Sequence, residues 1–263
     1  MYDIGTFPFG QQVHEVIQQD RTPKRVFVLG VYASAVHARW IGANNKTKVQ
    51  AFAVASEPYI FWRGDKAEEI IEQIDIPNKL GNLIPAHQQF NGPSGIALDE
   101  LILEPLGLDR SDVWLCDLVP HSCLNPNQRD TIINNYEPFI EEYDLPIPTI
   151  PPPPTKLTNE ARRAEILEEI IESKAITLIL LGDKPIQWFL NFYDQRWKSL
   201  ADFSEDNNSY GQLHSIQIKD KDFNLLPVAH PRQIARLGQH SPIWFEYHQA
   251  WIHQSISDII GKI

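Results

Sequence analysis

Short apolar runs that stop at small or polar residues, separated by stretches of helical spacing, constrain this chain more than any other feature. Residues 176–181 (ITLILL) end at Gly182, and 224–229 (NLLPVA) run straight into His230-Pro231. Residues 26–31 (VFVLGV) carry Gly30 near their end, and 113–119 (VWLCDLV) are broken by one acid. Runs this short and this continuously apolar belong to strands buried on both faces. Residues 49–55 offer a further strand, and 213–218 pair naturally with 224–229. Helical spacing fills the gaps at 67–74, 95–106, 130–143, 184–191 and 241–259, and at 159–173 behind the caps Thr158 and Asn159. Strands alternating with helices imply a mostly parallel sheet covered on both faces. The expected fold is one α/β domain over 1–263, a three-layer α/β/α sandwich.

Composition narrows the setting. Of 263 residues, 43% are hydrophobic and 10% aromatic, enough for a sizeable core. Two cysteines cannot form a disulfide scaffold, and the start MYDIGTFPFGQQVHEV lacks the basic and apolar segments of a signal peptide. No apolar run approaches the roughly 20 residues that span a bilayer. A cytoplasmic protein with no membrane partner is expected. The net charge of −11 argues against indiscriminate polyanion binding. Basic groups nevertheless collect at 21–25, at 37–39 and in HPRQIARLGQH (230–240), which has no acid and offers Arg232 and Arg236 to phosphate.

In open parallel sheets, ligands sit beyond the carboxyl ends of the strands. That rule selects the loops at Tyr32-Ala33-Ser34, Cys116-Asp117, Gly182-Asp183 and His230-Pro231-Arg232, with the turn-rich FNGPSG (90–95) beside them. His37 and Arg39, in AVHARWIG, are read as surface or helix packing, or as the mouth of a pocket. The Pro-rich segment 146–154 reads as a stiff connector, or as an extended ligand for an aromatic groove. No P-loop, G-x-S-x-G or H-E-x-x-H motif occurs.

Four of these segments, in order, resemble the uracil-DNA glycosylase superfamily, especially its iron–sulfur microbial branch. FNGPSGIALDELILEPLGLDRSDVWLCDLVPHSCLNPN is similar to the family's central segment. VFVLGVYAS stands at its first motif, ITLILLGDKPIQWFL resembles its late strand and helix, and LLPVAHPRQIAR resembles its final His-Pro motif. The resemblance implies a DNA glycosylase that hydrolyses the N-glycosidic bond of a flipped base, acting on single- or double-stranded DNA or a nucleotide without a cofactor. By that resemblance Phe90 stacks on the base, Asp117 reads its edge, and the backbone of Gly30 and Val31 lines the pocket floor. His230 donates to the departing base, and Tyr32 positions water or shapes the wall.

The departures from the family's pattern point elsewhere in part. Asp117 replaces an Asn that both donates and accepts. An ionised Asp only accepts, which suits amino-bearing bases, whereas a raised pKa would let it donate. Tyr32 stands at the place of a carboxylate or amide, and an ordinary phenol is a poor base at neutral pH. With only Cys116 and Cys123, a four-cysteine cluster is excluded. A zinc site from Cys116, His121 and Cys123 is conceivable, but buried neutral thiols are the preferred reading, so no metal is expected. A non-catalytic base-, nucleotide- or nucleic-acid-binding module of the same fold is the alternative, and hydrolysis of free nucleosides a third.

Overall fold

The computed structural model describes residues 3–204, 209–237 and 241–263. Its strands are β1 (Val26–Tyr32), β2 (Ala35–Ile41), β3 (Thr47–Ser56) and β4 (Asn82–Pro85) in the first third of the chain. β5 (Val113–Val119), β6 (Thr177–Leu181), β7 (His214–Ile218) and β8 (Lys221–Val228) follow. The chain forms two compact units. One comprises Met1–Val16, Tyr32–Pro93 and Pro120–Thr155; the other comprises Ile17–Val31, Ser94–Val119 and Lys156–Ile263.

The second unit is α/β, built on a mixed, mostly parallel five-stranded sheet in the order β5-β1-β6-β8-β7. β1 runs parallel to β6, with Val26 opposite Thr177 and Leu29 opposite Leu180. β6 runs parallel to β8, with Leu181 opposite Val228. All seven residues of β5, at one edge of the sheet, and all five of the central, mostly aliphatic β6 are buried. β7 pairs antiparallel with β8 and alternates exposed Ser215 and Gln217 with buried Ile216 and Ile218, the pattern of an edge strand with one wet face. The helix Glu160–Ser173 starts at Asn159, whose side chain accepts from the Arg162 N–H, and buries Ile166, Leu167 and Ile170.

The amphipathic stretch expected as one helix over 95–106 is a composite. Pro93–Leu98 is α-helical, Asp99–Leu103 widens into a π turn, and Glu104–Leu106 tightens before Gly107 at φ 68°. Pro105 is the physical cause, because it has no N–H to return to the Leu101 carbonyl four residues back. The acidic stretch 130–143 likewise divides, into Pro126–Asn135 and Ile140–Tyr143, around Pro138.

The first unit is an antiparallel three-stranded sheet, β3-β2-β4, closed by aromatic packing. β2 corrects the reading of 37–39 as surface or helix packing: His37 and Arg39 stand in a strand, alternating with buried Val36, Ala38 and Trp40. Phe9 meets Trp40 and Tyr136 edge-on at 5.4 and 5.0 Å. The Tyr136 hydroxyl accepts from the Phe9 N–H and donates to the Pro146 carbonyl, each at 3.0 Å. Thr149 and Pro151 are tied to Thr6 and Leu124 by main-chain hydrogen bonds, so the Pro-rich segment is anchored as far as Pro151, while Pro152–Pro154 are exposed.

No helix among the described residues is long and apolar enough to cross a membrane.

Candidate functional site

The carboxyl ends of four neighbouring strands of the second unit carry the groups best suited to chemistry. Across the sheet they are Asp117 on β5, Val31 on β1, Gly182 after β6 and His230 after β8. Three inter-strand spacings separate the backbones of Asp117 and His230, about 14 Å.

Asp117 is buried at 3% exposure. Removal from water pushes its carboxyl up to about 7. The Arg162 guanidinium and the Val31 N–H, which donates to the carboxyl, pull the other way without overcoming burial. Arg162 is held by its own contacts: it donates to the main-chain oxygens of Asp117 at 2.7 Å and Leu118 at 3.2 Å. At neutral pH a substantial share of Asp117 therefore carries its proton and can both donate and accept.

His230 leaves β8 in an extended conformation, φ −61° and ψ 140°, as a residue before proline must. Pro231 then opens the short helix Pro231–Ile234, and the His230 ring caps it, Nδ1 accepting from the Arg232 N–H at 3.2 Å. Burial, with Arg232 beside it, lowers the imidazole to about 4, so the ring is neutral at pH 7. With Nδ1 accepting, the proton resides on Nε2, which is a donor. Gly182 explains how the ring fits. At φ 80° a Cβ there would lie 3.3 Å from that of His230, so the absent side chain gives β8's end its room.

The remaining predicted residues fall in two groups. Gly30 and Val31 lie within this unit, at the end of β1. Arg232 is exposed, and Arg236 places its guanidinium 3.8 Å from the centre of the Phe245 ring. The last part of the basic stretch, 238–240, lies outside the described residues.

Tyr32 and Phe90 belong to the first unit. Tyr32 is 47% exposed, and Phe90, at 36%, ends the turn Gln88–Phe90 with its ring 6.5 Å from that of His37. Asn91, next to Phe90, is buried and acts as a substitute strand. Its amide accepts from the His37 N–H at 2.8 Å and donates to the His37 carbonyl at 2.9 Å. Gly92 at φ 74° passes so near Arg63 that any Cβ would collide with backbone. A cleft of about 470 Å³ in the same unit is lined by Lys66, Glu68, Glu69, Glu72 and Pro85 among others, and by none of the predicted residues.

Cys116 does not face solvent. Its thiol lies 3.6 Å from a Glu169 oxygen, and burial with that carboxylate raises it well above the usual thiol range. Among the described residues, no three His, Cys, Asp or Glu side chains group so as to hold a metal ion.

Two residues that sequence reasoning passed over, Tyr210 and His248, are linked to the backbone of Ala229, the residue before His230. The Tyr210 hydroxyl accepts from the Ala229 N–H at 2.9 Å and lies 2.7 Å from His248 Nδ1. The chain matches no protein-family model and no curated protein.

Proposed function

We propose that this chain is a DNA glycosylase-like protein of the uracil-DNA glycosylase type, with the three-layer arrangement of that family and no cofactor. The observation that carries the reading is His230: a neutral imidazole with Nδ1 engaged by the backbone and Nε2–H left to donate at the carboxyl edge of a parallel sheet. In glycosidic hydrolysis the C1′–N bond breaks and its electron pair leaves with the base. Water adds its oxygen to C1′ and releases a proton to solvent. Charge develops on the base oxygens as the bond breaks, and a fixed donor aimed there lowers the barrier. A neutral donor does this without spending binding energy on a charged ring in the ground state.

Asp117 then reads the base edge in two ways. Protonated, it presents a donor and an acceptor, as an amide does, and suits uracil-like edges. Ionised, it only accepts and suits amino-bearing edges. With the carboxyl titrating near 7, the preferred base shifts with pH. Arg232 and Arg236, both exposed in the same unit, offer phosphate contacts.

Tyr32 favours a second reading, a binding module that holds a base, nucleotide or DNA end without cleaving it. The last residue of β1 is a half-exposed phenol, a weak base for activating water.

Mass-spectrometric detection of free base separates the two. The protein would be incubated with single- and double-stranded oligonucleotides carrying uracil, hypoxanthine, xanthine or modified cytosines. Base release that His230→Ala abolishes is the expected result. Binding to the oligonucleotides with no release from any of them would replace the glycosylase with the binding module.

A further inference from the structure

Ala229, the residue immediately before His230, is completely buried, and its N–H is held by a side chain rather than by the sheet. That side chain, Tyr210, is itself completely buried, as is its neighbour His248. The hydrogen bonds run in one direction. The Leu101 carbonyl can only accept, so His248 Nε2, at 2.8 Å, carries the proton and donates to it. Burial lowers the His248 imidazole to about 4, which leaves Nδ1 an acceptor. The Tyr210 hydroxyl donates to that Nδ1, and its oxygen accepts from Ala229. Each group in the chain Leu101–His248–Tyr210–Ala229 thus has one role, and no member can be reversed without leaving a buried polar atom unpaired.

The anchor at the far end is built into the local sequence. Pro105 lacks the N–H that would return to the Leu101 carbonyl, and His248 supplies a donor to it. At the near end, Gly211 brings its backbone against Trp251. A Cβ there would lie 2.6 Å from the indole, and the Gly211 carbonyl accepts from the indole N–H at 3.0 Å. Tyr210 is therefore clamped from both sides, with Trp251 6.3 Å away edge-on.

We propose that Tyr210 and His248 are positioning residues for His230, fixing the last turn of backbone from which its imidazole projects. The proposal rests on the reading of His230 as the donor to the departing base. Without the phenol oxygen, the Ala229 N–H has no partner in the core, and the turn at 229–230 relaxes toward water. The His230 ring then loses its register, and misplacement of a reacting group by about 1 Å costs up to about a hundredfold in rate.

Tyr210→Phe tests this in the full chain, since it keeps the ring and its packing and removes only the oxygen. Folding is checked by circular dichroism, and His230 is followed by its imidazole NMR signals through a pH titration, with base release measured in parallel. The expected result is a folded variant whose kcat for base release is down about tenfold or more with KM little changed, and whose His230 titrates closer to the ordinary histidine value. His248→Phe, which leaves the phenol oxygen in place for Ala229, should show the same changes in smaller degree.

A Tyr210→Phe variant that is merely less stable, with the His230 titration unmoved, would overturn the proposal. If the wild-type protein releases no base, the glycosylase reading falls on that result. The His230 signals still decide the positioning role: a shift in Tyr210→Phe upholds it and an unchanged titration rejects it.

Discussion

Asp117 and His230 stand at the same edge of one sheet, and burial acts on both in the same chemical sense: each is pressed toward its neutral form. The consequences differ because one is an acid and the other a base. Burial lowers His230 to about 4, well clear of neutrality, so its state at pH 7 is fixed. Burial raises Asp117 only to about 7, because Arg162 and the Val31 N–H oppose it. One group is a settled donor and the other a group poised to titrate. Asp117 is buried and His230 half-buried, and the local surroundings decide which role each polar group can take.

The largest effect that would break this comparison is on turnover. His230→Ala is expected to lower base release by about a hundredfold or more, the usual consequence of removing a donor from developing charge. A loss of less than fivefold, by mass spectrometry of the released base, would remove His230 from the centre of the account.

Asp117 is tested next, through stability. Its folded pKa lies above its unfolded value of 3.8, so the folded state binds the proton more tightly. Its contribution is fully favourable below about pH 4 and is lost as pH rises through 7. Asp117→Asn keeps an acceptor for the Val31 N–H and abolishes the titration. In urea unfolding the variant should gain about 2–4 kcal/mol on wild type at pH 8.5, and nothing comparable near pH 4. An advantage independent of pH would show that burial does not hold the carboxyl neutral.

His230→Gln probes the opposite slope and the smallest effect. A lowered histidine pKa gives stability that is complete above about 6.5 and is lost as pH falls toward 4. The variant should flatten that acid-side decline by about 1–2 kcal/mol. A decline unchanged by the substitution would assign it to other groups.

These residues were unequally visible in the amino-acid order. β6 and most of β1 are continuous apolar runs, β5 is one broken only by Asp117, and the second half of β8 runs into His230, so these strands and the ends bearing Gly182 and His230 could be read directly. β2 was also written in the sequence, as the alternation of Val36, Ala38 and Trp40 with His37 and Arg39, but alternation over so few residues competes with a helical reading.

Tyr210 and His248 left no local signal. Tyr210 follows a polar stretch, and its partner is 38 residues away, so only the tertiary fold makes them neighbours. The π turn at Asp99–Leu103 was hidden for a related reason: Pro105 announces that the helix is disturbed, but not that a distant histidine meets the Leu101 carbonyl.

The most direct test of the central claim is nitrogen-15 NMR of the His230 imidazole from pH 3.5 to 8. A neutral ring at pH 7 with its proton on Nε2, titrating near 4, is the predicted result. A charged ring at pH 7, or a neutral ring with its proton on Nδ1, would contradict the account.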